Sequence, residues 1–174
     1  MDVPRFDRRV PEGEDRERLV CADCGYVAYE NPKIVVGSVV EVEGRVLLCR
    51  RAIEPRAGFW TLPAGYMEMG ETAEEGALRE AWEEARARLA LGGLLAVYSI
   101  ARLGQVQLIF RATLAEEGFA AGPESLDVRL FAWEDVPWDE IAFPSVHWAL
   151  RAWRGGAPGI AGNPPEDVRG VAGL

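Results

Sequence analysis

Cysteine is scarce in this chain of 174 residues: there are three, and they cannot all pair. That excludes a disulfide scaffold and makes a reducing cytoplasm the default compartment. Lysine is scarcer still. Lys33 stands alone against eighteen arginines, which reads as a GC-rich coding bias rather than as function. Long apolar runs are missing: none approaches the roughly 20 residues of a membrane span. The opening stretch, Met1 to Asp7, lacks the apolar core of a secretion signal. An excess of basic charge is missing too. Nineteen basic against twenty-eight acidic side chains leave a net charge of −9. A general nucleic-acid binder needs a basic footprint, so that class is excluded, while a local basic pocket is not. What remains is ordinary: 49% apolar and 27% charged residues, the composition of one globular domain with a small appendage.

Residues 1–20 are charged and poorly patterned, and Pro11 to Arg18 reads as a solvated turn. Ile34–Val40 is β-branched and apolar, the signature of a buried strand. Glu43-Gly44 marks a hairpin turn. Val46–Cys49 answers as its second strand, and Phe59–Leu62 as a short third. Thr72 and Glu75 form a capping box that opens a helix running to about residues 85–89. At about 100° per residue its apolar side gathers Ala77, Leu78, Ala81, Trp82, Ala85 and Leu89, with Glu80, Glu83 and Glu84 opposite. Gly92-Gly93 punctuates the chain before strands at Leu94–Ile100, Val106–Leu114 and Val128–Trp133. A loop at Gly118–Ser125 carries Glu124. Val146–Trp153 reads as a second helix, with the lone His147 on it as a structural or exposed residue. Gly155–Leu174 is rich in glycine and proline and reads as a frayed tail. The order βββ-α-βββ-α predicts an α+β fold with a mixed sheet between helices.

Three carboxylates at 80, 83 and 84 crowd one helix face and repel each other. A divalent cation relieves that cost, and hard cations such as Mg²⁺ take oxygen ligands while keeping waters for a phosphate. Arg79 lies four residues before Glu83 and can orient it. Glu68 and Glu71, on the glycine-flanked loop ahead of the helix, can add oxygen or hold Arg79.

From Gly65 to Ala87 the chain resembles the signature box of the Nudix hydrolases. Gly65, Glu71, Arg79, Glu80, Ala81, Glu83, Glu84 and Ala87 fall on the pattern. Arg86 departs from it, standing where the family has glycine, and predicts either a longer helix or a strained helix end. The resemblance extends over about residues 9–153. Arg16–Cys24, Tyr29–Lys33, Leu47–Arg51, Gly58–Glu71, Gly122–Phe131 and Ala142-Phe143 are similar to a zinc-ribbon-bearing subgroup that includes FAD and ADP-ribose pyrophosphatases. It implies a Nudix α/β/α sandwich at 33–154, a ribbon remnant at 1–32 and a flexible tail at 155–174.

The resemblance also implies an activity: Mg²⁺-dependent hydrolysis, with Mn²⁺ as a substitute, of a nucleoside diphosphate linked to another moiety. FAD and ADP-ribose lead. Glu80, Glu83, Glu84 and the carbonyl of Ala64 would hold the metal, and Glu80 or Glu124 would take the proton of the attacking water. Arg50 and Arg51 are candidate phosphate contacts. Trp60 is a candidate stacking ring, with core packing as its plainer role. A homodimer is the assembly that the resemblance suggests. The rivals are hydrolysis of damaged triphosphates, NADH pyrophosphatase activity, whose Ser-Gln-Pro-Trp-Pro-Phe type motif is absent from Tyr98–Phe110, and a non-catalytic nucleotide sensor.

Cys21-x-x-Cys24-Gly25 looks like half of a zinc ribbon. Structural zinc takes four ligands. No cysteine precedes Cys21, and Cys49 sits in an apolar strand as core packing. The expectation is therefore no complete zinc site within one chain.

Overall fold

The computed structural model describes residues 3–156, 159–167 and 169–170. The chain divides into two compact units, Met1–Pro32 and Lys33–Leu174.

The first unit is a small antiparallel sheet of β1 (Phe6–Arg9), β2 (Arg18–Cys21) and β3 (Val27–Ala28), in that order. The sequence reading expected no strand here. All four residues of β1 are exposed, so no alternation betrays it, and its register is set by backbone pairing from Phe6 opposite Cys21 to Arg9 opposite Arg18. Among the described residues of this unit, Val20 and Cys21 are the buried apolar positions. A polar tie supplements that small core. The Glu14 carboxylate accepts hydrogen bonds from Arg18 Nε at 3.0 Å and from the Tyr29 hydroxyl at 2.5 Å. The Arg18 guanidinium also lies over the Tyr29 ring at 5.3 Å.

The second unit is built on a mixed sheet. Its elements are β4 (Lys33–Val42), β5 (Arg45–Arg51), β6 (Trp60–Thr61), β7 (Ala64–Tyr66), α1 (Ala73–Ala85), β8 (Leu89–Ile100), β9 (Gln105–Leu114), β10 (Ser125–Phe131) and α2 (Pro144–Gly155). The sheet order is β10-β5-β4-β9-β8, with β6 on β5 and β7 on β4. β4 and β9 run parallel; the other pairs are antiparallel. Helix α1 packs Ala77, Ala81 and Ala85 toward Val36, Val40, Leu47 and Cys49. Helix α2 packs Val146, Ala149 and Leu150 toward Val39, Leu48, Leu95 and Tyr98 on the other face. This is an α+β sandwich of the expected kind. Burial on both faces is why β4 reads as a continuous apolar run rather than an alternating one. Glu43 and Gly44 close the β4–β5 hairpin with φ of 50° and 75°, the mirror-image turn that matches strand twist.

Four readings change. Gly92 and Gly93 do not break the chain; they lie inside β8, where the register against β9 shifts twice, as a bulge. β7 is three residues long and was hidden by its Ala-Gly-Tyr composition. β10 begins three residues earlier than expected, and Trp133 opens a 3-10 turn. The tail is not frayed where it is described. Ala161 pairs with Ala96 as an isolated bridge, donating to Leu95 O and accepting from Val97 N, both at 2.9 Å. The Asn163 amide accepts from Ser99 N and donates to Ser99 O, each at 2.8 Å. Composition suggested disorder, but the unpaired edge of β8 offers backbone donors and acceptors that bind the tail. Residues 157, 158, 168 and 171–174 of that segment lie outside the described residues. No helix among the described residues is long and apolar enough to cross a membrane.

Candidate active site

Helix α1 carries the site, and its first turn is built as its sequence suggests. Thr72 accepts from Glu75 N at 3.2 Å, and Glu75 accepts from Thr72 N at 2.8 Å, closing the capping box. The buried face is rotated from the expected one. Gly76, Ala77, Glu80, Ala81, Glu84 and Ala85 point inward. Leu78 and Trp82 are exposed, Trp82 lies beneath the guanidiniums of Arg86 and Arg88, and Leu89 belongs to β8. The pattern misled because alanines at 77, 81 and 85 are compatible with either rotation. The result is that two carboxylates sit at the edge of the core. Glu80 is 8% exposed and Glu84 4%.

Burial pushes the Glu84 carboxyl up to about 8, against the Ala64 N–H that donates to it at 3.0 Å. The neighbouring charges of Glu80 and Glu124 raise it further, while Arg51 opposes them. Burial also raises Glu80, against its bond from Arg79. Gly65, on β7, makes room for Glu80: a Cβ there would fall 2.3 Å from Glu80 Oε1.

Arg79 is the hub. Its guanidinium grips Glu71 with two hydrogen bonds, Nε at 3.0 Å and Nη2 at 2.8 Å. Nη1 donates to Glu80 at 2.7 Å and to Glu83 at 2.9 Å, and Nη2 also donates to the carbonyl of Tyr66 at 2.9 Å. Glu71 in turn accepts from Glu68 N at 2.6 Å. Arg79 first, and the Glu68 amide second, hold the Glu71 carboxyl down at about 2. Of the roles open to Glu68 and Glu71, the geometry assigns Glu71 to holding Arg79 and leaves Glu68 contributing only its backbone amide.

The far end of α1 stops at Ala85, with Arg86 in the left-handed region at φ 49°. Of the two outcomes expected for Arg86, the strained helix end is the one that occurs. The loop that carries Glu124 folds onto this end. Ala120 N donates to Ala85 O at 2.8 Å and Gly122 N to Glu84 O at 3.0 Å. A Cβ on Gly122 would fall 1.6 Å from Glu83 O, so only glycine permits the approach. Glu124 is exposed, and its charge reaches both Glu80 and Glu84. The sequence reading missed Gly122 and the Tyr66 carbonyl; the Gly-Pro pair at 122–123 was the one signal for the former.

The basic candidates separate. Arg51 donates from Nε to Pro55 O at 2.8 Å, lies over the Phe143 ring at 5.2 Å, and faces Glu84 electrostatically. Arg50 is exposed and ties down the loop through Gly58 O at 2.8 Å. Trp60 is not available for stacking. It is 5% exposed, meets Phe131 edge-to-face at 4.9 Å and fills the core, because β6 turns it inward. Cys49 is buried under the site, and burial pushes its thiol well up.

Among the described residues no three carboxylate, imidazole or thiol side chains converge as a finished ligand set. The donor chemistry nonetheless fits a hard divalent cation. Glu80 and Glu84 are buried oxygen donors; Arg79 is shared among Glu71, Glu80 and Glu83, and Glu84 accepts one hydrogen bond, from Ala64 N. Glu83 is half exposed and turned to Arg79, an ion pair of the kind worth about 0–1 kcal/mol, so it can be recruited cheaply. In the first unit two thiols, Cys21 (buried) and Cys24 (exposed), sit on a turn closed by Gly25 N to Cys21 O at 3.0 Å, against the four ligands that structural zinc takes.

Comparison with known proteins bears on both units. Residues 31–151 match the NUDIX domain model, and residues 4–30 match the zinc-ribbon model described as Nudix N-terminal. A crystal structure of a NUDIX hydrolase from Nitrosomonas europaea superposes with a TM-score of 0.84 at 44% identity, covering 92% of this chain and 96% of that one. An ADP-ribose pyrophosphatase of Methanocaldococcus jannaschii is 29% identical over 143 residues, 80% of this chain and 79% of that protein. A MutT-like protein of Streptomyces ambofaciens is 44% identical over 77 residues, 44% of this chain and 48% of that protein, so the match spans about half its length.

Proposed function

This chain belongs to the Nudix family, and we propose that it is a divalent-metal-dependent pyrophosphohydrolase of nucleoside diphosphates linked to a second moiety. ADP-ribose is the leading substrate, because a relative aligned over four-fifths of this chain carries that activity in its name. FAD is the second. The observation that supports the reading is the pair of buried carboxylates, Glu80 and Glu84, on the inward face of α1. Glu80, Glu83, Glu84 and the Ala64 carbonyl are the groups that would hold the metal. When bound, Mg²⁺ or Mn²⁺ would neutralise a pyrophosphate and acidify a water.

The chain's own residues supply the rest. Arg79 positions Glu80 and Glu83 and is itself locked by Glu71. Arg51 brings positive charge toward Glu84, which matters in a protein of net charge −9 that otherwise repels an anionic substrate. Glu80 or Glu124 takes the proton of the attacking water. Glu80 is fixed by Arg79, whereas Glu124 is exposed on its loop. A cytoplasmic homodimer belongs to the same reading, and light scattering measures its mass.

The test is turnover of ADP-ribose, FAD, NADH, CoA, diadenosine polyphosphates and dNTPs, with Mg²⁺ and Mn²⁺ compared. The expected result is AMP release from ADP-ribose or FAD that EDTA abolishes and Mg²⁺ restores. Preference for a dNTP would move the reading to nucleotide-pool cleansing. Ligand binding with no turnover of any compound would move it to a sensor. Comparing Glu80→Gln with Glu124→Gln by the pH dependence of kcat separates base from ligand.

A further inference from the structure

A concave surface lies beside the N-terminus of α2, an open cleft of about 390 Å³. Its walls carry Arg56, His147 and Arg151, set among Ile141, Ala142 and Trp148. None of these residues belongs to the carboxylate cluster. Among the described residues neither Arg56 nor Arg151 has a carboxylate within ion-pair distance. Arg56 lies over the Phe59 ring at 5.2 Å, which holds its stem but leaves its donors free. His147 stacks on Trp138 at 5.6 Å and feels the opposing charges of Arg151 and Asp139.

Two guanidiniums without anions, converging on a cavity in a strongly acidic protein, need a reason. Guanidinium forks match phosphate oxygens in geometry as well as charge. Pro144 at the start of α2, where the helix has no side-chain cap, is part of the pocket wall, so the positive end of the helix dipole faces the same side. Arg56 also holds a left-handed backbone, φ 65°, which glycine would adopt without strain. The pocket adjoins the catalytic side through Phe143, which precedes Pro144 and lies under Arg51.

We propose that this cavity is a second anion-binding site, one that takes a phosphate monoester between Arg56 and Arg151 without help from the carboxylates. The ester would come from the distal part of a phosphorylated dinucleotide or from a free phosphorylated metabolite. The two sources share one chemistry.

The lone histidine makes the site directly readable, because the protein has one imidazole signal. The experiment titrates inorganic phosphate into the full chain in EDTA, at constant ionic strength balanced with chloride, and follows the His147 Hε1 resonance by NMR. A saturable shift is expected, with at least a five-fold loss of affinity in Arg56→Gly and in Arg151→Gln. Arg56→Gly relaxes the backbone, so it should fold at least as well as the parent; circular dichroism checks both variants. No shift, or a linear shift equal in parent and variants, overturns the proposal. Steady-state kinetics then distinguishes the sources. A higher KM in the variants for a dinucleotide bearing a 2′-phosphate, but not for ADP-ribose, assigns the site to substrate. Unchanged KM for both, with phosphate still bound by the parent, assigns it to a free effector. The binding measurement needs no turnover, so it stands or falls apart from the hydrolase reading.

Discussion

Two motifs in this chain depart from pattern, and they depart in opposite ways. In the N-terminal unit the turn of Cys21–Gly25 and the three-strand sheet are present, with two thiols where structural zinc takes four ligands. In the box on α1 every acidic residue of the pattern is present, but Arg86 stands where the pattern has glycine at the helix end. The first departure leaves a scaffold joined by pairing between β1 and β2 and by the Glu14–Arg18–Tyr29 tie. The second strains the scaffold and spares the chemistry. Arg86 takes the left-handed conformation that glycine would have taken, and Glu83 and Glu84 stay where they are. A backbone departure costs about 1–2 kcal/mol; a missing ligand cannot be made up by strain.

The largest expected effect tests the intact side of that contrast. Glu84→Gln should lower kcat more than about 100-fold, beyond the range of an outer-shell change, while circular dichroism shows a native fold. An unchanged rate would remove the metal role from the box. Next, Gly122→Ala should destabilise by about 2–3 kcal/mol, because its Cβ would collide with the Glu83 carbonyl. Thermal melting reads the loss, and retained stability would show that the loop does not dock on α1.

The pH dependence is the third test, made on metal-free protein. The Glu84 carboxyl stands above its unfolded value near 4.3, so the folded state holds that proton more tightly. Stability from this group is therefore full below about pH 4 and lost as pH rises toward 8. Glu71 has the opposite sign: its contribution is present above about pH 4 and lost as pH falls toward 2. Melting temperatures should peak in mildly acidic buffer. Glu84→Gln should flatten the alkaline limb, and Glu71→Gln should flatten the acid limb.

Two smaller effects complete the comparison. Arg86→Gly should raise stability by about 1 kcal/mol with kcat unchanged, the strain relieved being partly offset by glycine's unfolded-state freedom. Cys24→Ser, at an exposed position, should leave activity within two-fold, roughly the scale of a surface substitution. Elemental analysis should find well under one zinc per chain, and a stoichiometric zinc signal would mean that the ribbon completes its site in some other way.

Much of the site was legible because it is local. The capping box at Thr72 and Glu75, the Arg79–Glu83 spacing and the cluster at 80, 83 and 84 all lie within a few helical turns, where sequence distance is nearly spatial distance. β4, the Glu43-Gly44 turn and β5 were legible for the same reason. β1 was not, since a strand with no buried face leaves no periodicity. Nor was the docking of Ala161 and Asn163 on β8, which depends on an edge that another part of the chain leaves open.

The sequence by itself determined which acidic and basic groups are candidates for the chemistry and how they are spaced along α1. These are matters of residue identity and short-range geometry. Only the tertiary structure decided which way α1 is rotated, and therefore that Glu80 and Glu84 are buried while Trp82 is not. It also decided that Trp60 belongs to the core, that Gly65 and Gly122 are points of close approach, and that Arg56 and Arg151 share a cavity. Each of those depends on what packs against the residue from far along the chain, and a one-dimensional pattern carries no record of its neighbours.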